Sequence, residues 1–158
     1  MLRITRLTDY ATVVLSHMAQ DPNALFSSKK LAAELGLGMP TVSKILKALA
    51  ARGFVSSVRG AEGGYKLARQ ADAIAITDII EALEGPLAMT MCALHEDNCE
   101  QSSQCHLSTS WQSISQGITN VLRQISLADM LGRKPSAVLA SITPEQLLAT
   151  LPVGVNYE

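Results

Sequence analysis

The tightest constraint on the fold of this 158-residue chain is a pair of short apolar-patterned runs separated by a glycine turn. Leu31, Ala32 and Leu35 mark one face of a first short helix, capped by Ser28 and closed by Gly36 at the C′ position. After Gly36-Leu37-Gly38-Met39, Pro40 suits the first position of a second helix. Val42, Ile45, Leu46 and Leu49 then follow at i, i+3, i+4 and i+7 until Gly53 stops the helix. Its other face is Thr41, Ser43, Lys44 and Lys47, short hydrogen-bonding side chains followed by cations. Two short helices around a glycine turn, the second polar and basic outside, predict a helix-turn-helix.

The run after Gly53 adds a hairpin. Phe54-Val55-Ser56-Ser57-Val58-Arg59 and Tyr65-Lys66-Leu67 are β-prone and flank the turn Gly60-Ala61-Glu62-Gly63-Gly64. Directly after a helix-turn-helix, such a hairpin reads as a wing. Arg59 at its tip is then suited to a minor groove, whose negative potential favours arginine. A hairpin with merely solvated charges is the simpler alternative, and the order of the elements argues against it.

Around this centre, a first helix is expected over residues 8–19, with Thr8 as N-cap, Asp9 in the first turn and Asp21-Pro22-Asn23 as its end. Thr77 is expected to cap a helix over 78–84 that Gly85-Pro86 terminates. The segment that follows lacks periodicity and reads as a loop. From Leu107 a long helix carries Leu107, Trp111, Ile114, Ile118, Val121, Leu122 and Ile125 in a near-heptad stripe. So wide an apolar seam beside a small winged domain predicts a dimerisation helix. Ser126 begins a short last turn through Leu131. In the tail, Thr143-Pro144-Glu145-Gln146 forms a capping box, with no function legible in it.

Charge divides the chain. Residues 1–70 hold ten Lys or Arg against four acids, giving +6, and residues 71–158 hold three against ten, giving −7. Such asymmetry points to a first half that faces nucleic acid. Apolar residues make up 47% of the chain and mean hydropathy is +0.19, yet no run of about 18 apolar residues exists to span a bilayer. The first residues lack the apolar stretch of a signal peptide, so a cytoplasmic protein is expected. Its excess apolar surface suits burial between copies, hence an oligomer.

All three cysteines fall in one segment, as Cys92-x6-Cys99-x5-Cys105. An odd number in a cytoplasmic chain does not make a disulfide framework. Three thiols fall short of a four-thiolate site, so a fourth ligand has to come from elsewhere. Thiolates are soft donors that suit zinc and iron–sulfur clusters. Structural zinc prefers closer pairs, and the wide spacings favour a cluster, leaving zinc and unligated redox thiols as alternatives. His95 and His106 gain weight only through their cysteine neighbours, and His17 reads as packing or surface.

Four motifs in order now carry a resemblance: Leu7-Thr8-Asp9-Tyr10, Ser57-Val58-Arg59-Gly60 with Gly63-Gly64-Tyr65 and Leu67, the spaced cysteines, and Ile125-Ser126-Leu127-Ala128-Asp129. Over residues 1–131 the chain resembles the Rrf2 family of bacterial winged-helix transcription regulators, of the IscR and NsrR types, and most of all those controlling SUF-type cluster-assembly operons. The resemblance implies a mainly α fold with a small β wing, a homodimer with crossed long helices, and an iron–sulfur cluster (2Fe–2S or 4Fe–4S) that adjusts affinity for double-stranded operator DNA. Carried onto this sequence, Cys92, Cys99 and Cys105 become cluster ligands. Ser28, Pro40, Thr41, Ser43, Lys44, Lys47, Ser57, Arg59 and Gly60 become the DNA-facing set. The implied organisation is a winged domain at 1–84, a cluster loop at 85–106, a dimerisation helix at 107–131 and a tail at 132–158. The order of the loop would reposition the two reading heads.

Two departures matter. The IscR type supplies a histidine three residues after the last cysteine, where this chain has Ser108, with His106 one residue after. Its recognition helix has an acid where this chain has Ser43, so its operator preference does not transfer. For the fourth ligand Asp9 is preferred over His106. Adjacent side chains seldom reach one metal, whereas the matching aspartate of the NsrR type is a ligand to a 4Fe–4S cluster. A nitric-oxide- or iron-responsive repressor of the same family is the alternative function. An iron–sulfur carrier or scaffold would leave the +6 half and the wing unexplained, and a zinc-stabilised regulator would be colourless. No enzyme is expected, since Gly60-x-x-Gly63-Gly64 lies in a hairpin rather than before a helix.

Overall fold

The structure, a computed structural model, describes residues 4–60, 63–94 and 105–132. It is mainly helical with one two-stranded antiparallel sheet. The order is α1 (Arg6–Met18), α2 (Ser28–Leu35), α3 (Met39–Ala51), β1 (Val55–Val58), β2 (Gly64–Leu67), a 3₁₀ turn (Ala71–Ala73), α4 (Ile76–Glu84), α5 (Met91–Leu94), α6 (Ser108–Arg123) and α7 (Leu127–Met130). The tail beyond Gly132, with its capping box, lies outside the described residues, as do Cys99 and His95.

The entry to α1 differs from expectation. Thr5, not Thr8, is the N-cap, its hydroxyl accepting from the Thr8 N–H at 3.4 Å. Thr8 lies inside the helix and is buried. The Thr5 N–H is in turn taken by Glu84 Oε1 at 2.8 Å, across 79 residues of sequence. Partial burial works to raise the Glu84 carboxyl. Hydrogen bonds from the Thr8 hydroxyl and from the Thr5 N–H and hydroxyl outweigh it and hold the group below the usual carboxylate range. An acid at the C-terminal end of α4 opposes that helix's dipole, but here it sits at the favourable N-terminal end of α1.

The helix-turn-helix forms where expected, with one corrected cap. Ser27 rather than Ser28 caps α2, accepting from the Lys30 N–H at 3.1 Å. Gly36 ends α2 in the left-handed region at φ +64, which a side chain would strain. Val42, Ile45, Leu46 and Leu49 of α3 are all fully buried against α1. In the wing, Val55 pairs Leu67 and Val58 pairs Gly64. Phe26 adds a single isolated rung beside β2, its N–H donating to Tyr65 O and its carbonyl accepting from the Tyr65 N–H, both at 2.8 Å. That approach needs Gly64, because a Cβ there would stand 2.7 Å from Phe26 O. His17 packs edge-on against the Phe26 ring and bonds Glu34 Oε2 at 2.8 Å.

Thr77 does not cap α4. It is the helix's second residue, buried, and among the described residues its hydroxyl has no partner. The start of α4 is held instead by the chain after α6. Ile76 N–H donates to Ile125 O at 2.9 Å and Leu127 N–H to Ile74 O at 2.8 Å, forming a bridge between Ala75 and Ser126. Ile125 and Leu127 thus belong to the winged domain's core, so Ile125 leaves the stripe assigned to the long helix. Ser126 and Asp129 form a full capping box on α7. The cysteine segment is not loop throughout, since Cys92 lies in α5.

Candidate nucleic-acid interface and cysteine site

The N-terminus of α2 and the wing meet in a cleft of about 420 Å³ lined by Ser27, Ser28, Ser57, Val58, Arg59, Gly60, Gly63, Gly64 and Tyr65. Four residues of the expected DNA-facing set, Ser28, Ser57, Arg59 and Gly60, therefore come together. The Phe26–Tyr65 rung explains how: it fixes the first turn of α2 beside the strands. That turn carries Lys29 and Lys30 and no acid. Cations at a helix N-terminus oppose the dipole, so the placement favours an anion arriving from outside.

The remaining five lie on α3. Met39 rather than Pro40 opens the helix, and Pro40 follows as its exposed second residue; Thr41 and Ser43 are half-buried, and Lys44 and Lys47 are exposed on the face opposite the core. No acid lies in the first turn of α3. Short polar side chains backed by cations can read base edges and hold phosphates respectively.

The described thiols flank the start of α6. Cys92 is buried in α5, its sulfur 3.2 Å from the Thr90 hydroxyl. Gln112 Nε2 donates to Cys92 O at 3.4 Å, which sets Cys92 beside the second turn of α6. Cys105 is half-buried three residues before α6 begins, and His106 next to it is exposed. Asp9 is exposed on α1, lining a groove with Val13, His17 and Met130. Among the described residues no three His, Cys, Asp or Glu side chains converge to hold a metal ion. Among the described residues neither Asp9 nor His106 belongs to such a group.

Sequence reasoning missed Ser27, Thr90, Gln112 and Ser115. Ser27 stands beside an equally good cap residue. Thr90 stands two residues before a cysteine, the one local signal available. Gln112 and Ser115 act through contacts that no pattern reveals.

The outer face of α6 is a separate surface. Leu107, Trp111, Ile114 and Val121 are exposed there, and Ile114, Gly117, Ile118, Val121 and Leu122 line an apolar groove of about 370 Å³. No helix among the described residues is long and apolar enough to cross a membrane.

A helix-turn-helix with a wing, whose basic helix face turns to solvent, defines the class of winged-helix DNA-binding regulators. Residues 4–133 match the Rrf2 model, described as iron-dependent transcriptional regulators, and the chain belongs to that family. It is 27% identical over 163 residues to the HTH-type transcriptional regulator IscR of Erwinia tasmaniensis, spanning 99% of this chain and 95% of that one. Among solved structures, IscR of T. potens is 32% identical, with 84% of this chain and 88% of that one covered and a TM-score of 0.62. The global cysteine regulator CymR of B. subtilis is 27% identical, covering 85% and 99%, with a TM-score of 0.64. These relatives are transcription regulators, and this chain is a winged-helix regulator of the IscR type.

Proposed function

We propose that this regulator binds operator DNA as a homodimer, senses iron–sulfur status through a cluster held by Cys92, Cys99 and Cys105, and controls SUF-type cluster-assembly genes. The observation that carries the DNA-binding part is the cleft that joins Ser28 to Ser57, Arg59 and Gly60. In this reading the cytoplasmic chain reads DNA with residues 1–84, holds the cluster with 85–106 and pairs protomers through 107–131. Pro40, Thr41 and Ser43 approach bases, while Lys44 and Lys47 hold phosphates.

The donor set fits a cluster. Thiols are the soft ligands that iron–sulfur groups take, and Cys92 is buried with the Thr90 hydroxyl 3.2 Å from its sulfur. When bound, the cluster would supply a redox- and iron-sensitive cross-link between α5 and the start of α6. The chain's own part is mechanical. Hydrogen bonds from Ile76 and Leu127 fix the far end of α6 to the winged core, so a shift at its near end reaches the reading head. Because half-site spacing follows the DNA turn, a small reorientation changes affinity.

Anaerobic purification with iron and sulfide quantification, then binding of loaded and cluster-free protein to duplex from a SUF-type promoter, tests this. Brown protein with comparable iron and sulfide, and different affinities of the two forms, is expected. Colourless, zinc-bearing protein would overturn the cluster, and equal affinities the sensing. For the fourth ligand, Asp9→Ala is expected to alter the cluster absorbance and His106→Ala to leave it nearly intact. The reverse would assign the role to His106.

A further inference from the structure

The polar inner face of α6 does something that the dimer seam and the DNA cleft leave unexplained. Ser115 is buried, and its hydroxyl accepts from the Met89 N–H at 3.1 Å. Gln112, one turn earlier, donates to Cys92 O at 3.4 Å. Residues 89 and 92 are thus both pinned to α6, and Thr90 lies between the pins. Thr90 O also accepts from the Ala93 N–H at 3.1 Å, which opens α5. With the backbone held on both sides, the Thr90 hydroxyl rests 3.2 Å from the Cys92 sulfur.

Either atom of that pair can donate while the thiol is free. A sulfur bound to a metal carries no proton, so the hydroxyl alone can then donate. We propose that Thr90 is a positioning residue for the cluster, donating a hydrogen bond to the Cys92 sulfur, with Ser115 and Gln112 of α6 holding the pair together. This rests on the cluster reading above. A donor at a ligand sulfur stabilises the more negative, reduced form, so it raises the reduction potential and slows ligand loss.

The test uses anaerobically purified full-length wild type, Thr90→Val and Thr90→Ser. Cluster potential is followed by absorbance against mediator dyes, and iron release by a chelator. Thr90→Val, which keeps the shape and loses the donor, is expected at a more negative potential and to release iron about 10-fold faster. Thr90→Ser, which keeps the hydroxyl, is expected close to wild type in both. A purely structural role would move the melting temperature and leave the potential in place. Loaded wild type and Thr90→Val with equal potentials would overturn this inference alone, as would Thr90→Ser behaving like Thr90→Val. Wild type free of iron and sulfide would overturn the cluster reading and this inference with it.

Discussion

Helices α3 and α6 are both amphipathic, and they use the pattern in opposite ways. α3 turns Val42, Ile45, Leu46 and Leu49 into the core of its own chain and leaves Lys44 and Lys47 in water. α6 buries Ser115 and Thr119 against its own chain and leaves Trp111, Ile114 and Val121 between 37% and 47% exposed. The apolar stripe of α3 is therefore covered within its own chain, whereas that of α6 carries exposed apolar area that water disfavours by about 25 cal/mol per Å². A second copy of α6 is the proposed cover. Gly117 lines the same groove, with open space where a side chain would stand.

The largest effect that can break this contrast is on stability. Leu46→Ala is expected to lose about 2–5 kcal/mol, because a fully buried side chain leaves a cavity in a closed core. Denaturant unfolding with an unchanged midpoint would mean that α3 is not part of that core. Ile118→Glu should act on association instead, placing a charge in an apolar seam. Sedimentation is expected to show monomers with helical circular dichroism retained, together with loss of tight operator binding. A dimer that persists would remove the seam from α6.

Smaller effects sharpen the contrast on the outer face of α3 and the wing. Lys44→Ala is expected to weaken binding to all sequences and lower the salt slope by about 1, while Arg59→Ala shifts preference among sites. Both variants should melt like the wild type, since neither side chain enters the core. Unchanged operator affinity in both would separate the cleft from DNA.

The smallest effect concerns the seam between α1 and α4. Glu84 has a folded-state pKa below the ordinary value, so its contribution is complete above that value and is lost as pH falls through the folded one. Its exposure to solvent limits that contribution to roughly a few tenths of a kcal/mol. Glu84→Gln is expected to flatten this acid limb of the stability profile. A limb that persists in the variant would assign it to other carboxylates.

How far the sequence reaches follows from the range of the forces involved. Gly36 as a C-cap, the period of α3, the turn between β1 and β2, and the short last turn from Ser126 were all legible, because each is decided within a few residues. Choices between near-equal local options were not. Ser27 and Ser28 are both competent caps, and the chain path from Phe26 into the wing places the first of them at the helix start. Thr5 and Thr8 both suit an N-cap, and α1 begins at the first, where Glu84 takes the Thr5 N–H.

For the candidate site, the sequence by itself determined the residue types: three soft donors, a basic helix face and an arginine-tipped hairpin. Only the tertiary structure decided which of them meet. The Phe26–Tyr65 rung brings α2 to the wing, the Ala75–Ser126 bridge draws Ile125 out of the apolar stripe into the core, and Ser115 turns the polar side of α6 inward. Each is a contact between distant segments, in which a backbone or hydroxyl group finds a partner outside its own element. Periodicity records which side of a helix is apolar. It does not record whether that side faces its own chain or another.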